Sequence, residues 1–322
     1  MESDDDELIK TASEKAEILH NMLNEKSINY DAFFSFLLST NNYERQIIAD
    51  EYKSKFEKTI FDEINTKISN KDTKYIITLM FYNYYELDAR TLHKALKEKR
   101  NEKPIVEIFA SRPSWFLQIV NDEYKKLYGI TLKEEVNQEK KSDFIPFLQC
   151  ILVTPRLKTN FIKTEKQAGD VVQEIITKGL KKYGTDVELF KNLFVKNSRE
   201  DLISICREFK AIDKKKRNLY DAVDDTLPKS TKEIIKAIIF AVVMPSQYFA
   251  HLLKKSIVGF GTDEETLSRV LVERHEIDMD FVRAYYKLET KRELIDDIKG
   301  DTSGTYMKIL TKLAFADYYK MM

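Results

Sequence analysis

The sequence predicts an all-α protein made of repeated helical units, and three observations carry that prediction. Apolar residues recur three and four positions apart along most of the chain, as in Tyr306, Ile309, Leu310 and Leu313, and no run alternates long enough for a sheet. Glycine is scarce, 8 in 322 residues, so the positive-φ turns that join strands are in short supply. The triplet Gly-Thr-Asp stands at Gly184 and again at Gly261, 77 residues later, each time after one helical stretch and before four more.

In chain order, a short acidic tail over 1–10 precedes five apolar clusters that make a first unit over 11–83. They are Ile18/Leu19/Met22/Leu23, Phe33/Phe34/Leu37/Leu38, Ile47/Ile48, Ile60/Phe61/Ile64 and Ile76/Ile77/Met80. A second unit, over 84–154, follows from Leu92/Leu96, Ile105/Ile108/Phe109, Trp115/Ile119/Val120, the short Leu132/Val136 and Phe144/Ile145/Leu148/Ile151. A longer polar connector, 155–168, divides the chain into halves.

The third unit, 169–245, runs from a helix at Val171 through the loop LKKYGTD to Leu189/Phe190/Leu193/Phe194 and Leu202/Ile205/Cys206/Phe209. A weaker element up to Val223 and the helix Ile234/Ile235/Ile238/Ile239 complete it. The fourth, 246–322, repeats that order from Tyr248: the loop VGFGTD, Leu267/Val270/Leu271, a helix around Phe281/Val282/Tyr285, Leu294/Ile295/Ile298, and the helix of Tyr306. The fold class is therefore all-α, four repeats of five helices each.

Composition narrows the function. With 43% apolar and 33% charged residues the chain can bury a large core, and 53 basic residues balance 53 acidic ones, which disfavours a nucleic-acid partner. The longest apolar run, Ala237 to Met244, is far short of the roughly 20 residues that span a bilayer. The start MESDDDELIK is acidic where a secretory leader is basic, and Cys150 and Cys206 lie in helical patterns as packed thiols, so a cytoplasmic location is expected. The run Lys214 to Arg217 reads as a solvated loop, Trp115 as core, and His20, His93, His251 and His275 are scattered without zinc-ligand spacing. No catalytic nucleophile and base assemble, and no enzyme activity is expected.

One motif carries chemistry. In Ile257-Val258-Gly259-Phe260-Gly261-Thr262-Asp263, Thr262 followed three residues later by Glu265 reads as a capping box, and Thr185 with Glu188 repeats it. The Gly-x-Gly before the cap lets backbone carbonyls turn toward one point, and such oxygens suit a hard cation. Asp301, 40 residues after Gly261 in Gly-Asp-Thr-Ser-Gly, could supply the formal charge or could simply cap the last helix. The carbonyls of Ile257, Gly259 and Gly261 with a bidentate Asp301 give about five of the six to eight oxygens that calcium takes. The open places suit a lipid phosphate.

These residues resemble the annexin family. GFGTDEETLSRVLVERHEID with GDTSGTYMKIL is similar to the fourth annexin repeat, and VVMPSQYFAHLLKKSIVGFGTD to the joint from the third into the fourth. The resemblance implies a curved disc whose convex-face calcium loops dock on acidic phospholipid. It implies the ligand set Ile257, Gly259, Gly261 and Asp301 in the fourth repeat, and in the third the carbonyls of Gly179, Lys182 and Gly184 from GLKKYGTD. The third repeat's acid is Asp224 by spacing or Asp225 by the acid-Thr pattern of DDTLPKS, and Tyr183 stands where an aromatic could enter the headgroups.

The first two repeats depart from the pattern. EKSINYD stands in place of Gly-x-Gly-Thr-Asp, with Lys67 where the distant acid belongs. KEKRNEK and NQEKKS replace the second loop and leave Glu139 without a carbonyl cradle. Arg112 and Arg274 keep the arginine that follows the second helix, whereas Thr40 and Asn197 replace it elsewhere. The expected function is calcium-dependent, reversible membrane binding by repeats three and four. The alternative is an annexin-like scaffold with cytoskeletal or self-association partners and little calcium dependence.

Overall fold

The computed structural model describes residues 4–97, 101–138, 145–153, 162–180, 187–225, 229–259 and 261–315. These form twenty α-helices and no strand, as four sets of five. The first set is α1 (Asp4–Asn24), α2 (Tyr30–Leu38), α3 (Asn42–Phe56), α4 (Ile60–Lys67) and α5 (Lys71–Phe81). The second is α6 (Tyr84–Lys97), α7 (Glu102–Ser111), α8 (Ser114–Tyr128), α9 (Leu132–Gln138) and α10 (Ile145–Val153). The third is α11 (Glu165–Glu174), α12 (Val187–Lys196), α13 (Arg199–Ile212), α14 (Leu219–Ala222) and α15 (Lys229–Val243). The fourth is α16 (Pro245–Ile257), α17 (Glu264–Arg274), α18 (Met279–Thr290), α19 (Leu294–Asp301) and α20 (Gly304–Phe315).

Side-chain caps start many of these helices. Asn41 with Glu44 opens α3, Thr59 with Asp62 opens α4, Thr164 with Gln167 opens α11 and Ser198 with Asp201 opens α13, each as a reciprocal capping box. Their ends use the left-handed region at Glu57, Gly129 and Lys291, which frees the chain to turn without a glycine at two of the three.

The chain divides into two compact units, Met1–Leu87 with Phe249–Met322, and Asp88–Tyr248. In the first, α17 packs on α5, and α20 packs on α2 and α5. Phe33, Phe34, Ile76, Ile77, Val270, Leu271, Ile309 and Leu310 are buried there. Arg45 is fully buried. Its guanidinium donates to the carbonyls of Met80 (2.8 Å), Leu37 (3.1 Å) and Thr40, and to Glu276 Oε1 at 2.6 Å. Glu276 also accepts from the Asn42 backbone N–H (3.1 Å) and the Tyr84 hydroxyl (3.0 Å). A buried charge is thus fully surrounded by partners, which is what makes its burial tolerable.

In the second unit α15 lies along α7 and α11 along α13, with Ile105, Ile108, Phe109, Leu202, Ile205, Phe209, Ile234 and Ile238 buried. Arg112 forks onto Asp88 (2.6 and 3.1 Å), and Asp88 is itself fully buried. In the first unit Arg274 pairs with Asp278 and lies over the Phe249 ring at 4.3 Å.

Several expectations are corrected. Trp115 is not core: it is 46% exposed, because the inner face of α8 is Leu117, Val120 and Tyr124. Phe281 is likewise 54% exposed, and Val282 and Tyr286 point inward instead. Both helices exist as expected, but their inward phase is set by what they pack on. Thr262 does not cap α17; Asp263 does, accepting from Thr266 N at 3.1 Å. Asp301 does not cap the last helix but ends α19. The thiols Cys150 and Cys206 are free and half-buried, and burial raises that of Cys206 to about 12. In the basic run, Arg217 is bound to Asp213 at 3.2 Å.

Candidate calcium and membrane site

In the fourth repeat α16 stops at Ile257, and the turn after it is closed by Asp263 N donating to Ser256 O at 2.8 Å. Between those residues Gly259 has φ +153° and Gly261 φ +83°, and a side chain built at either would meet nothing within 4 Å. The glycines are therefore demanded by backbone conformation and not by crowding. Val258 is 48% exposed beside them.

Asp301, exposed at the end of α19, is brought across to this turn. The Thr262 hydroxyl donates to its Oδ2 at 2.6 Å. The loop and its distant carboxylate, 39 residues apart, are thus one construction. Sequence reasoning gave Thr262 the wrong task, since a capping threonine and a carboxylate-holding one look the same in Gly-Thr-Asp. Among the described residues no three His, Cys, Asp or Glu side chains cluster as a metal site. What the turn offers is backbone oxygens beside one carboxylate, hard donors that would suit calcium and not a soft transition metal.

Three contacts from α18 brace α16 and α19, the helices that carry this turn and its carboxylate. On α16, His251 Nδ1 (2.9 Å) and Lys254 Nζ (3.2 Å) meet Glu289 of α18, and together they hold its carboxyl below the usual range although burial opposes this. One turn earlier, Tyr286 donates to Asp297 Oδ2 of α19 at 2.6 Å, and burial raises the Tyr286 hydroxyl strongly.

Two of the histidines that look scattered in sequence take matching places in the first two repeats. His20 and His93 sit on α1 and α6 with Nδ1 at 2.9 Å from the hydroxyls of Tyr52 and Tyr124. Tyr52, Tyr124 and Tyr286 each precede an acid, Glu63, Glu135 or Asp297, by eleven residues. In the third repeat the buried residues Phe209 and Ala222 line the corresponding core, with neither hydroxyl nor acid.

The third-repeat site is only partly visible. Lys182, Tyr183, Gly184 and Thr185 lie outside the described residues, as does Glu139 in the second repeat. Gly179 ends a π turn in which Leu180 N donates to Ile175 O at 3.0 Å. It is buried, and a Cβ there would come within 2.8 Å of Leu189 Cδ2. Asp224 and Asp225 close a 3₁₀ turn after α14. The Asp224 carboxylate is engaged by Lys236 at 2.6 Å, and that ammonium stands 4.0 Å from the Tyr220 ring.

In the first repeat Lys67 ends α4 as Asp301 ends α19, and it donates to Asn24 Oδ1 at 2.8 Å. In the second, Lys97 at the end of α6 meets the buried Glu135 at 2.6 Å. Ammonium groups therefore stand where the fourth repeat presents a carboxylate and an open loop.

The annexin family model matches residues 14–79, 87–151 and 248–313. The chain is 30% identical to annexin A4 of Mus musculus and of Homo sapiens over 307 residues, 95% of this chain and 95% of each relative. The chain belongs to the annexin family. The structure of annexin III superposes with a TM-score of 0.88 at 25% identity, covering 95% of this chain and 94% of that one. The K16A mutant of annexin A8 gives 0.85 at 26% identity, covering 94% of each. The annexin match includes the first two repeats, whose loops have lost their glycines, and leaves out 152–247, where Gly-Thr-Asp survives.

Proposed function

We propose that this annexin binds acidic phospholipid membranes reversibly and in a calcium-dependent way, chiefly through the fourth-repeat loop and secondarily through the third. The observation that carries the reading is the Thr262 to Asp301 bond at 2.6 Å, which sets a carboxylate against a glycine turn. Family membership supports calcium-dependent phospholipid binding in general. Bound there, calcium would be shared between protein oxygens and a lipid phosphate.

The residues that would hold it are the carbonyls of Ile257, Gly259 and Gly261 and the carboxylate of Asp301. Thr262 orients that carboxylate, and Val258 offers an apolar contact to the headgroup layer. In the third repeat the corresponding set is Gly179, Lys182 and Gly184 with Asp225, because Lys236 already occupies Asp224. No helix among the described residues is long and apolar enough to cross a membrane, and the reading is one of surface attachment from the cytoplasm.

Sedimentation with phosphatidylserine vesicles tests the assignment. Asp301→Ala should raise the calcium needed for binding by about 5- to 150-fold, the range of a 1–3 kcal/mol coupling, and Asp225→Ala by less. Wild-type behaviour of Asp301→Ala would remove the site. A second reading, a scaffold with cytoskeletal or self-association partners and little calcium dependence, draws on the lysines that fill the first two repeats. Chelation separates the two, since a scaffold would keep its partners in EGTA.

A further inference from the structure

Two lysines, Lys67 at the end of α4 and Lys74 early in α5, bear on the last turn of α4. Lys67 Nζ donates to Asn24 Oδ1 at 2.8 Å, and Lys74 Nζ to the carbonyl of Asn65 at 2.8 Å. Asn24 is fixed in turn by its own amide donating to His20 O at 2.9 Å, so its oxygen faces the ammonium. Both partners are neutral. Among the described residues no carboxylate pairs with Lys67 or Lys74, whereas Lys97 meets Glu135 and Lys236 meets Asp224. Of the acids adjacent in sequence, Asp62 caps α4. An ammonium has three donors, and one partner each leaves the rest of both groups for an anion. Lys67 also sits at the C-terminal ends of both α1 and α4, where the helix dipole favours a cation.

The position of this pair is what gives it a use. The Thr73 and Thr305 hydroxyls touch at 2.8 Å, and Lys308 reaches Asp31 at 2.9 Å. Lys67 lies six residues before Thr73, and Asp301 four before Thr305. The starts of α5 and α20, which follow the ends of α4 and α19, thus touch within one compact unit.

We infer that Lys67 and Lys74 form a metal-free site for the phosphate oxygens of an anionic headgroup beside the fourth-repeat loop. In the fourth repeat a carboxylate needs a cation to meet phosphate; in the first the cation is part of the chain. The inference rests on the proposed membrane orientation of the fourth-repeat loop, but not on calcium being bound there.

The test is binding in EGTA to phosphatidylcholine vesicles with and without phosphatidylserine. Wild type should bind the phosphatidylserine vesicles weakly. Lys67→Ala should bind about fivefold more weakly, which is about 1 kcal/mol per basic residue at 1.4 kcal/mol per tenfold. Lys67→Ala/Lys74→Ala should lose more, and Lys67→Arg should stay within about twofold of wild type because it keeps the charge. Inorganic phosphate at constant ionic strength distinguishes the source: displacement shows that a free phosphate suffices, and its failure shows that the lipid surface is required.

No wild-type binding in EGTA, or equal binding by Lys67→Ala, overturns the inference. Failure of the calcium reading looks different, because calcium would then add nothing to wild-type binding whatever residue stands at 67.

Discussion

Glu276 offers the sharpest quantitative test of what holds the first unit together. Its side chain is 12% exposed and faces Arg45 at 2.6 Å and His275 Nε2 at 3.2 Å. Burial alone would raise its carboxyl, yet the bonds and charges of His275 and Arg45 outweigh burial and bring it from 4.5 down to about 2. A gap of that size is worth roughly 3 kcal/mol at about 1.36 kcal/mol for each tenfold in proton affinity.

The sign follows from the depression. Stabilisation from Glu276 is fully present above pH 4.5 and is lost as pH falls through about 2. Glu276→Gln keeps the shape but removes the charge, leaving the Arg45 guanidinium buried without its counter-ion, a change that typically costs about 3–5 kcal/mol. The two figures agree on a loss of about 3 kcal/mol at pH 7. Urea unfolding followed by circular dichroism measures it, because the sole tryptophan, Trp115, reports on the other unit. The difference between Glu276→Gln and wild type should shrink between pH 4.5 and the acid limit. An unchanged urea midpoint at pH 7 would refute the charge-balance argument.

Three further outcomes are expected. Gly261→Ala meets open space but must hold φ +83°, a backbone cost of about 1 kcal/mol that should lower stability in urea by about that amount and, where the loop relaxes to escape it, raise the calcium needed for vesicle binding by up to about fivefold. Tyr286→Phe removes the hydroxyl bound to the buried Asp297 and should cost about 1.5–3 kcal/mol in urea, with weaker vesicle binding as α19 loosens around Asp301. Lys67→Glu should bind no additional calcium by titration calorimetry, because the loop over 25–29 has no glycine to turn its carbonyls inward; an extra bound ion would contradict this.

The candidacy of the fourth-repeat loop and Asp301 was legible because both carry local signatures, and the structure brings the two together. Gly259 and Gly261 stand out in a chain with 8 glycines, and Asp301 stands in a Gly-Asp-Thr-Ser-Gly context at a helix joint. The task of Thr262 was not legible, since its partner lies 39 residues away. The inward faces of α8 and α18 misled for a related reason. Trp115 and Phe281 satisfy an apolar count, but both helices carry more apolar residues than one face can bury. The histidines were misjudged in the opposite direction: the likeness of His20 and His93 shows only when Tyr52 and Tyr124 are seen beside them.

The amino-acid order alone determined the helices, their grouping in fives and the glycines of the fourth-repeat turn, because backbone spacing, caps and glycine act over a few residues. Tertiary structure decided which charges meet. Arg45 finds Glu276 across 231 positions, Lys67 meets a neutral amide, and Asp224 is claimed by Lys236. Such choices depend on which helix ends packing brings together and which partner then offsets desolvation, and neither quantity is written in any local stretch of sequence.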